Sequence, residues 1–127
     1  IRLELHLAKD LPRIASDRGQ LQQVFLNILN NAFAAVEDGG EITITTWDED
    51  LDTIGVSIQD NGVGMSEETL RHIFEPFFTT KKGYGTGLGL PITYGIIKKL
   101  GGDIKVRSKI GKGSTFTIYI PKKPRKE

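Results

Sequence analysis

Side-chain amides at helical spacing are the most informative chemical feature of this 127-residue sequence. Residues 21–36 carry no charge, and their apolar side chains recur at steps of three and four, which predicts a helix with one buried face. Gln20, Gln23, Asn27 and Asn31 form a second stripe beside that face. An amide oxygen can hold a hard cation, and an amide NH₂ group can meet a phosphate. The alternative is a polar helix edge that packs on its own protein.

The second candidate binding group is a carboxylate at the end of a predicted strand. In residues 53–60 the even-numbered apolar side chains face one way, and Asp60 has the same parity. Burying a carboxylate is costly unless a group donates to it, and the exocyclic amine of a purine would suit. Gly62 and Gly64 follow, and without a Cβ they let the backbone approach a flat ring. The alternative is an ordinary Asn-Gly turn.

Alternating glycines in residues 83–89 lead directly into a predicted helix over residues 88–100. Free N–H groups at a helix start, and glycine turns before it, suit a phosphate. No Lys-Ser/Thr pair follows and no strand immediately precedes, so neither a Walker loop nor a dinucleotide fingerprint is present. Residues 75–87 show no periodicity and read as a long loop, with Lys81 near the expected anion. A flexible hinge is the alternative, and both interpretations can hold.

Glycines also flank the last predicted strand, at Gly111 and Gly113, before Thr115. This cluster is weak alone and is most often a plain hairpin turn.

These residues need a scaffold, and the patterns predict one of mixed elements. The sequence predicts strands at 1–8, 41–47, 53–60, 104–108 and 115–120, and helices at 17–39, 66–73 and 88–100. Leu3, Leu5 and Leu7 alternate on one side of the first strand, which predicts that it is half-buried. Because each strand has one apolar face, we predict an α+β, two-layer α/β sandwich whose helices cover one side of a mixed sheet of about five strands.

Composition excludes several classes of protein. Hydrophobic residues make up 38% and charged residues 26% of the chain, as in an ordinary soluble domain. A net charge of +1 gives no general attraction to nucleic acid or membrane, and the absence of cysteine excludes disulfides and thiolate metal sites. No apolar run is long enough to span a bilayer. We expect one domain at residues 1–121 and a charged tail at 122–127, cut from a longer protein.

In type and in order along the chain, these clusters resemble the motifs of the catalytic ATP-binding domain of bacterial sensor histidine kinases. Asn27 and Asn31, Asp60-x-Gly62-x-Gly64, Phe74 to Phe78, Gly85-x-Gly87-x-Gly89 and Gly111-x-Gly113 match the asparagine, phenylalanine and three glycine boxes of that family, in order and across nearly the whole chain. Residues 77–81 and 87–92 look most like the nitrogen-regulation kinases. The resemblance implies the Bergerat sandwich, which is shared with DNA gyrase B, and an ATP lid.

The resemblance also implies a role for each matching residue. Asp60 would accept from the adenine amine, Asn31 would ligate Mg²⁺, Asn27 would touch phosphates or a Mg²⁺-bound water, and Lys81 would meet the outer phosphates. The expected catalytic residues are Asn27, Asn31 and Lys81, and the expected metal ligands are Asn31 and Asn27. The expected ATP-binding residues are Asn27, Asn31, Asp60, Gly62, Gly64, Met65, Phe77, Lys81, Gly85, Thr86, Gly87, Leu88, Gly89 and Thr115. Thr115 would support the pocket floor.

Two departures from related proteins bear on mechanism. Hydrolytic relatives have a glutamate at the position of Asn27, and an amide is a poor base, so we expect ATP to be held without fast hydrolysis. Many histidine kinases have a basic residue where this chain has Ala34, so the phosphate contact missing there is expected from Lys81, Lys82 or a residue of the missing domain.

The phosphate acceptor is expected on another domain, because neither His6 nor His72 begins the pattern of the acceptor helix. The resemblance therefore implies an upstream, histidine-bearing dimerisation domain, a response regulator receiver domain as partner, a homodimeric full-length protein and a cytoplasmic location. The alternatives are a hydrolytic ATPase, a serine-specific protein kinase of the anti-sigma type, and a nucleotide sensor without transfer.

Overall fold

The computed structural model describes residues 2–9, 18–36, 39–75 and 89–122. The strands are β1 (Arg2–His6), β2 (Glu41–Asp48), β3 (Thr53–Asp60), β4 (Asp103–Lys109) and β5 (Gly113–Pro121), and the helices are α1 (Arg18–Ala35), α2 (Glu67–His72) and α3 (Gly89–Lys99). Every predicted element lying within those ranges is present. The boundaries of β3 are the predicted ones, whereas β4 and β5 extend one or two residues further at their ends.

The five strands form one mixed sheet in the order β1-β2-β3-β5-β4. Strand β1 is parallel to β2, and the other pairs are antiparallel. Helix α1 packs over β3 and β5 and along α3, and both α2 and α3 contact β4. The predicted two-layer sandwich, with helices on one face of a mixed sheet, is therefore confirmed.

The core lies between the helices and the inward side chains of the strands. Because apolar residues recur along α1 at helical spacing, Val24 and Ile28 come to lie on one side, and both are fully buried. Ile97 of α3 joins them, and the sheet supplies the alternate residues of each inner strand. Asp60, on the same face as these apolar residues, is 2% exposed, which confirms its predicted inward direction.

The leucines of β1 are less covered than the alternation of the first strand predicted. Leu3, Leu5 and Leu7 are each more than half exposed. Their face is the helix-bearing one, because Leu3 and Leu5 pair with Ile42 and Ile44 of β2. Strand β1 is, however, the edge of the sheet, and the described helices pack on β3, β5 and β4. Alternation therefore predicted the correct face but not the extent of its burial.

The opposite face of the sheet carries an aromatic pair, Trp47 and Tyr119. The indole of Trp47 in β2 lies over Gly55 in β3, and a Cβ at Gly55 would collide with the ring. The Trp47 and Tyr119 rings meet edge to face with centroids 6.4 Å apart, and the Lys105 ammonium lies over the Tyr119 ring. The absence of a side chain at Gly55 therefore gives the indole a place to lie against the sheet.

The structure bears on two local predictions, the helix cap at Ser66 and the charged tail from Lys122 onward. Ser66 caps α2, because its hydroxyl accepts from the backbone N–H of Thr69. Lys122, where the charged tail is predicted to begin, is anchored: its backbone N–H donates to Asp52 and its ammonium pairs with Asp48 at 2.8 Å. Residues 123–127 lie outside the described residues.

Candidate functional site

The loop after β3 is shaped by side-chain and backbone hydrogen bonds that begin at Asp60. The Asp60 carboxylate accepts from the backbone N–H of Gly62 at 2.9 Å, so the chain turns sharply at the end of the strand. Asn61 pairs with Glu41 of β2 through both its backbone and its side chain. The predicted turn and the predicted buried carboxylate are thus the same structure, and the carboxylate organises the turn.

Glycines at this loop make room for protein backbone. A Cβ at Gly62 would collide with the carbonyl oxygen of Ala35, the last residue of α1, and one at Gly64 would collide with the carbonyl oxygen of Lys109. Gly64 also has φ of 73°, which favours glycine. The sequence-based explanation was approach to a flat ring. The structure gives a different reason for both glycines, namely the close packing of α1 and the β4–β5 hairpin on the loop.

A pair of serine hydroxyls ties β4 and β5 beneath the same loop. The Ser108 hydroxyl accepts from the backbone N–H of Met65 at 2.7 Å and lies 2.7 Å from the Ser114 hydroxyl. Ser114 is the registered partner of Asp60 across β3 and β5, and it is 5% exposed. Ser114 therefore faces the same side as the Asp60 carboxylate.

Thr115, a predicted site residue, does not lie on the same face of the sheet as Asp60. It pairs with Gln59 and Arg107, both exposed, on the face of the sheet opposite Asp60. Its predicted place in the pocket floor is therefore wrong, because successive residues of a strand point to opposite faces. Parity along β5 could have identified Ser114, since Phe116, Ile118 and Ile120 are buried.

Helix α1 connects the Asp60 loop with the start of α3. Asn27, Asn31 and Ala35 follow one another at steps of four, and the stripe from Asn27 to Ala35 is about 12 Å long at the usual helical rise. Ala35 contacts Gly62 at one end, as described above. At the other end the Asn27 amide donates to the carbonyl oxygen of Gly89 at 3.0 Å. Asn31 lies between these two contacts.

Thr93 is a site residue that the sequence did not indicate. Its hydroxyl is fully buried, donates to the Gly89 carbonyl oxygen at 2.9 Å and lies 3.2 Å from the Asn27 amide nitrogen. The available signal was a hydroxyl one turn before Ile97, on the buried face of α3.

Six predicted site residues lie outside the described residues: Phe77, Lys81, Gly85, Thr86, Gly87 and Leu88.

The donors near α1 that could hold a metal are amide oxygens. In the part of the chain that the structure describes, no group of three or more histidine, cysteine, aspartate or glutamate side chains could hold an ion. Mg²⁺ commonly takes one or two protein oxygens and completes its shell with phosphates and water. The oxygens of Asn27 and Asn31 fit that pattern, in which the nucleotide supplies most of the charge.

The two histidines of the chain both lie beside carboxylates. His6 lies on the exposed edge strand beside Glu4, and His72 pairs with Glu75 at 2.9 Å. His6 ends β1 and His72 ends α2, whereas Asp60 ends β3. Within the described ranges, no helix has both the length and the apolar character needed to cross a bilayer.

The sheet order, the single helical layer and the buried carboxylate define a Bergerat-type α/β sandwich. The family described as "Histidine kinase-, DNA gyrase B-, and HSP90-like ATPase" matches residues 16–124, and the chain belongs to that family.

Comparison with individual proteins agrees with that assignment. The chain is 45% identical over 121 residues to sporulation kinase E of Bacillus subtilis (strain 168), covering 95% of this chain and 16% of that protein. The catalytic domain of the histidine kinase ThkA superposes with a TM-score of 0.85 at 36% identity, covering 97% of this chain and 80% of the other. The full-length ShkA structure, in complex with AMPPNP, gives 0.84 at 30% identity, covering 94% of this chain and 25% of the other.

Proposed function

We propose that this chain binds Mg-ATP with its adenine at Asp60. The observation that carries the proposal is a carboxylate that is 2% exposed at the end of β3, beside a turn that it organises. A carboxylate has several acceptor positions, so one group can accept from more than one donor. The adenine amine is a donor that suits a further position, whereas guanine would present a carbonyl oxygen there. The AMPPNP complex of ShkA, a similar protein, supports an ATP-like ligand.

The phosphates belong near Asn31 and the start of α3 in this proposal. Asn31 and Asn27 would hold Mg²⁺ through their amide oxygens, and the metal would offset the negative charge of the phosphates. The backbone N–H groups of Gly85, Gly87 and Gly89 suit the phosphates, together with Leu88. Lys81 and Thr86 are assigned to the same end of the nucleotide, and Phe77 to the base of the lid.

The proposed reaction is transfer of the γ-phosphoryl group to a histidine outside this chain. Asn27 replaces the glutamate of hydrolytic relatives, and its amide cannot take a proton from water at neutral pH. The catalytic work left to this chain is positioning and charge stabilisation, which suffice for phosphoryl transfer.

The acceptor histidine belongs to a dimerisation domain that precedes this one in the whole protein. We propose a cytoplasmic homodimer that passes the phosphoryl group to a response regulator receiver domain. The names of the similar proteins support this assignment, and the chain spans 16% of the length of sporulation kinase E, which leaves room for such domains.

Calorimetric titration of the 127-residue chain with ATP tests the binding proposal. ATP and GTP would each be titrated with Mg²⁺ present and with the metal chelated. We expect saturable ATP binding that Mg²⁺ strengthens, and no binding of GTP. Equal affinity for the two nucleotides would contradict adenine recognition at Asp60, and no binding of either would contradict the proposed nucleotide site.

A second experiment tests the reaction. The chain would be incubated with γ-labelled ATP and a histidine-bearing helical hairpin from a similar kinase. We expect acid-labile label on the hairpin and little release of free phosphate without it. Sustained phosphate release by the chain alone would instead favour a hydrolytic ATPase.

A further inference from the structure

Asn27 has two amide hydrogens, and the structure accounts for both. The amide nitrogen lies 3.0 Å from the carbonyl oxygen of Gly89 and 3.2 Å from the hydroxyl oxygen of Thr93. A carbonyl oxygen can only accept, so the nitrogen, and not the oxygen, must face Gly89. Turning the amide over would place two oxygens against each other.

Thr93 can only accept from the Asn27 amide, because its single hydroxyl hydrogen is already donated to another group. The Thr93 hydroxyl donates to the Gly89 carbonyl oxygen at 2.9 Å, which leaves its lone pairs to accept from Asn27. Thr93 is fully buried, so no water competes for that position. The Asn27 oxygen consequently points away from α3, where it accepts from the exposed Gln23 amide at 2.8 Å.

We propose that Thr93 is a positioning residue that acts together with the Gly89 carbonyl oxygen to fix the Asn27 amide, so that Asn27 meets the nucleotide with its oxygen and not its NH₂ group. The inference rests on the proposed function and narrows it. Asn27 is then an acceptor, suited to Mg²⁺ or to a metal-bound water, and is not a donor to phosphate. When the exposed Gln23 side chain moves aside, the Asn27 oxygen becomes available to the nucleotide and its metal. The two amide hydrogens of Asn27 stay bonded to Gly89 and Thr93 of α3.

Matched variants separate this role from simple packing. Thr93→Val keeps the shape and removes the hydroxyl, and Thr93→Ser keeps the hydroxyl. ATP affinity would be measured for each with Mg²⁺ present and with the metal chelated. For Thr93→Val we expect the gain in affinity from Mg²⁺ to fall by about fivefold, the size of one hydrogen bond, and the metal-free affinity to change less. Thr93→Ser should retain the full gain.

Two affinity results would overturn the proposal while the wild-type chain still binds Mg-ATP. One is an unchanged gain from Mg²⁺ in Thr93→Val, and the other is an equal fall of both affinities, which is what a structural role alone would produce. Absence of any Mg²⁺ effect in the wild-type chain would instead count against the proposed function.

Side-chain amide spectra test the orientation itself without nucleotide. The Asn27 NH₂ signals, assigned by their loss in Asn27→Ala, should exchange with solvent more slowly than those of Asn30, which is exposed on the same helix. One of the two should shift in Thr93→Val. Equally fast exchange for Asn27 and Asn30 in the wild-type chain would overturn the proposal, even if Thr93→Val failed to fold.

Discussion

The backbone at Gly64 lies directly against the carbonyl oxygen of Lys109, and this contact joins the loop after β3 to the β4–β5 hairpin. Gly111 strengthens the same junction, because its N–H donates to the Val63 carbonyl oxygen at 2.8 Å. The loop that follows Asp60 is therefore held by a hairpin nearly fifty residues later in the chain.

Gly64→Ala should destabilise the domain far more than Gly111→Ala. The two glycines have φ of 73° and 80°, which costs an alanine about 1–2 kcal/mol. At Gly64 the new Cβ also meets the Lys109 carbonyl oxygen, and moving the backbone raises the total to about 3 kcal/mol or more. At Gly111 the space is open. Denaturant unfolding of both variants measures the difference, and equal losses would mean that the hairpin shifts easily.

Asp60→Asn should weaken ATP binding by about 30-fold, since a hydrogen bond to a charged acceptor is lost. The asparagine oxygen can still accept from the Gly62 N–H, so the turn and the fold should persist. Asp52→Asn, on the exposed β2–β3 turn, is the control and should bind ATP normally. Calorimetry gives the affinities and circular dichroism the fold. An Asp60→Asn chain with unchanged affinity would show that Asp60 does not recognise adenine.

Gly55→Ala should move the indole of Trp47 off the sheet. Trp47 is the chain's single tryptophan, so its fluorescence reports this site alone, and we expect emission at longer wavelength. Loss of the contact with Tyr119 should cost about 1 kcal/mol. Gly95→Ala is the control: it lies in α3 with open space around it, and should leave the emission unchanged while stabilising the helix by about 0.5–1 kcal/mol. An unshifted emission spectrum in Gly55→Ala would show that the ring does not depend on this gap.

The Lys98–Asp103 pair predicts how stability changes with pH. The hydrogen bond from the Lys98 ammonium lowers the pKa of Asp103 from 3.8, and the same bond raises the pKa of Lys98 from 10.5. The contribution is therefore complete between these usual values. It is lost as the pH falls through the lowered pKa of Asp103 or rises through the raised pKa of Lys98.

Both side chains are nearly half exposed, so we expect a small effect that salt reduces. The measurement is the difference in unfolding free energy between the wild-type chain and Asp103→Asn across the pH range. It should be constant near neutral pH and should vanish in acid. A difference that persists at the acidic end would show that the carboxylate charge is not its source.

Sequence patterns predicted the local features well, because each depends on neighbours within a few residues. Strand β3 and the direction of Asp60 follow from alternation, and the Ser66 cap follows from its position before an acidic turn. Burial at β1 did not follow, because it depends on which strands the helices cover. The asparagine boxes marked Asn27, but its partners Gly89 and Thr93 are 62 and 66 residues away, and no local pattern reports such a contact.

Sequence order and spatial order differ most at β5. It is the last strand along the chain, yet it lies inside the sheet between β3 and β4 and supplies the partner of Asp60. During synthesis, β3 and β4 therefore cannot join one sheet until β5 has left the ribosome. A chain that ends before Gly113 should form no partial nucleotide-binding unit, because β3 would have one unpaired edge and β4 two, and such edges make a chain prone to aggregate.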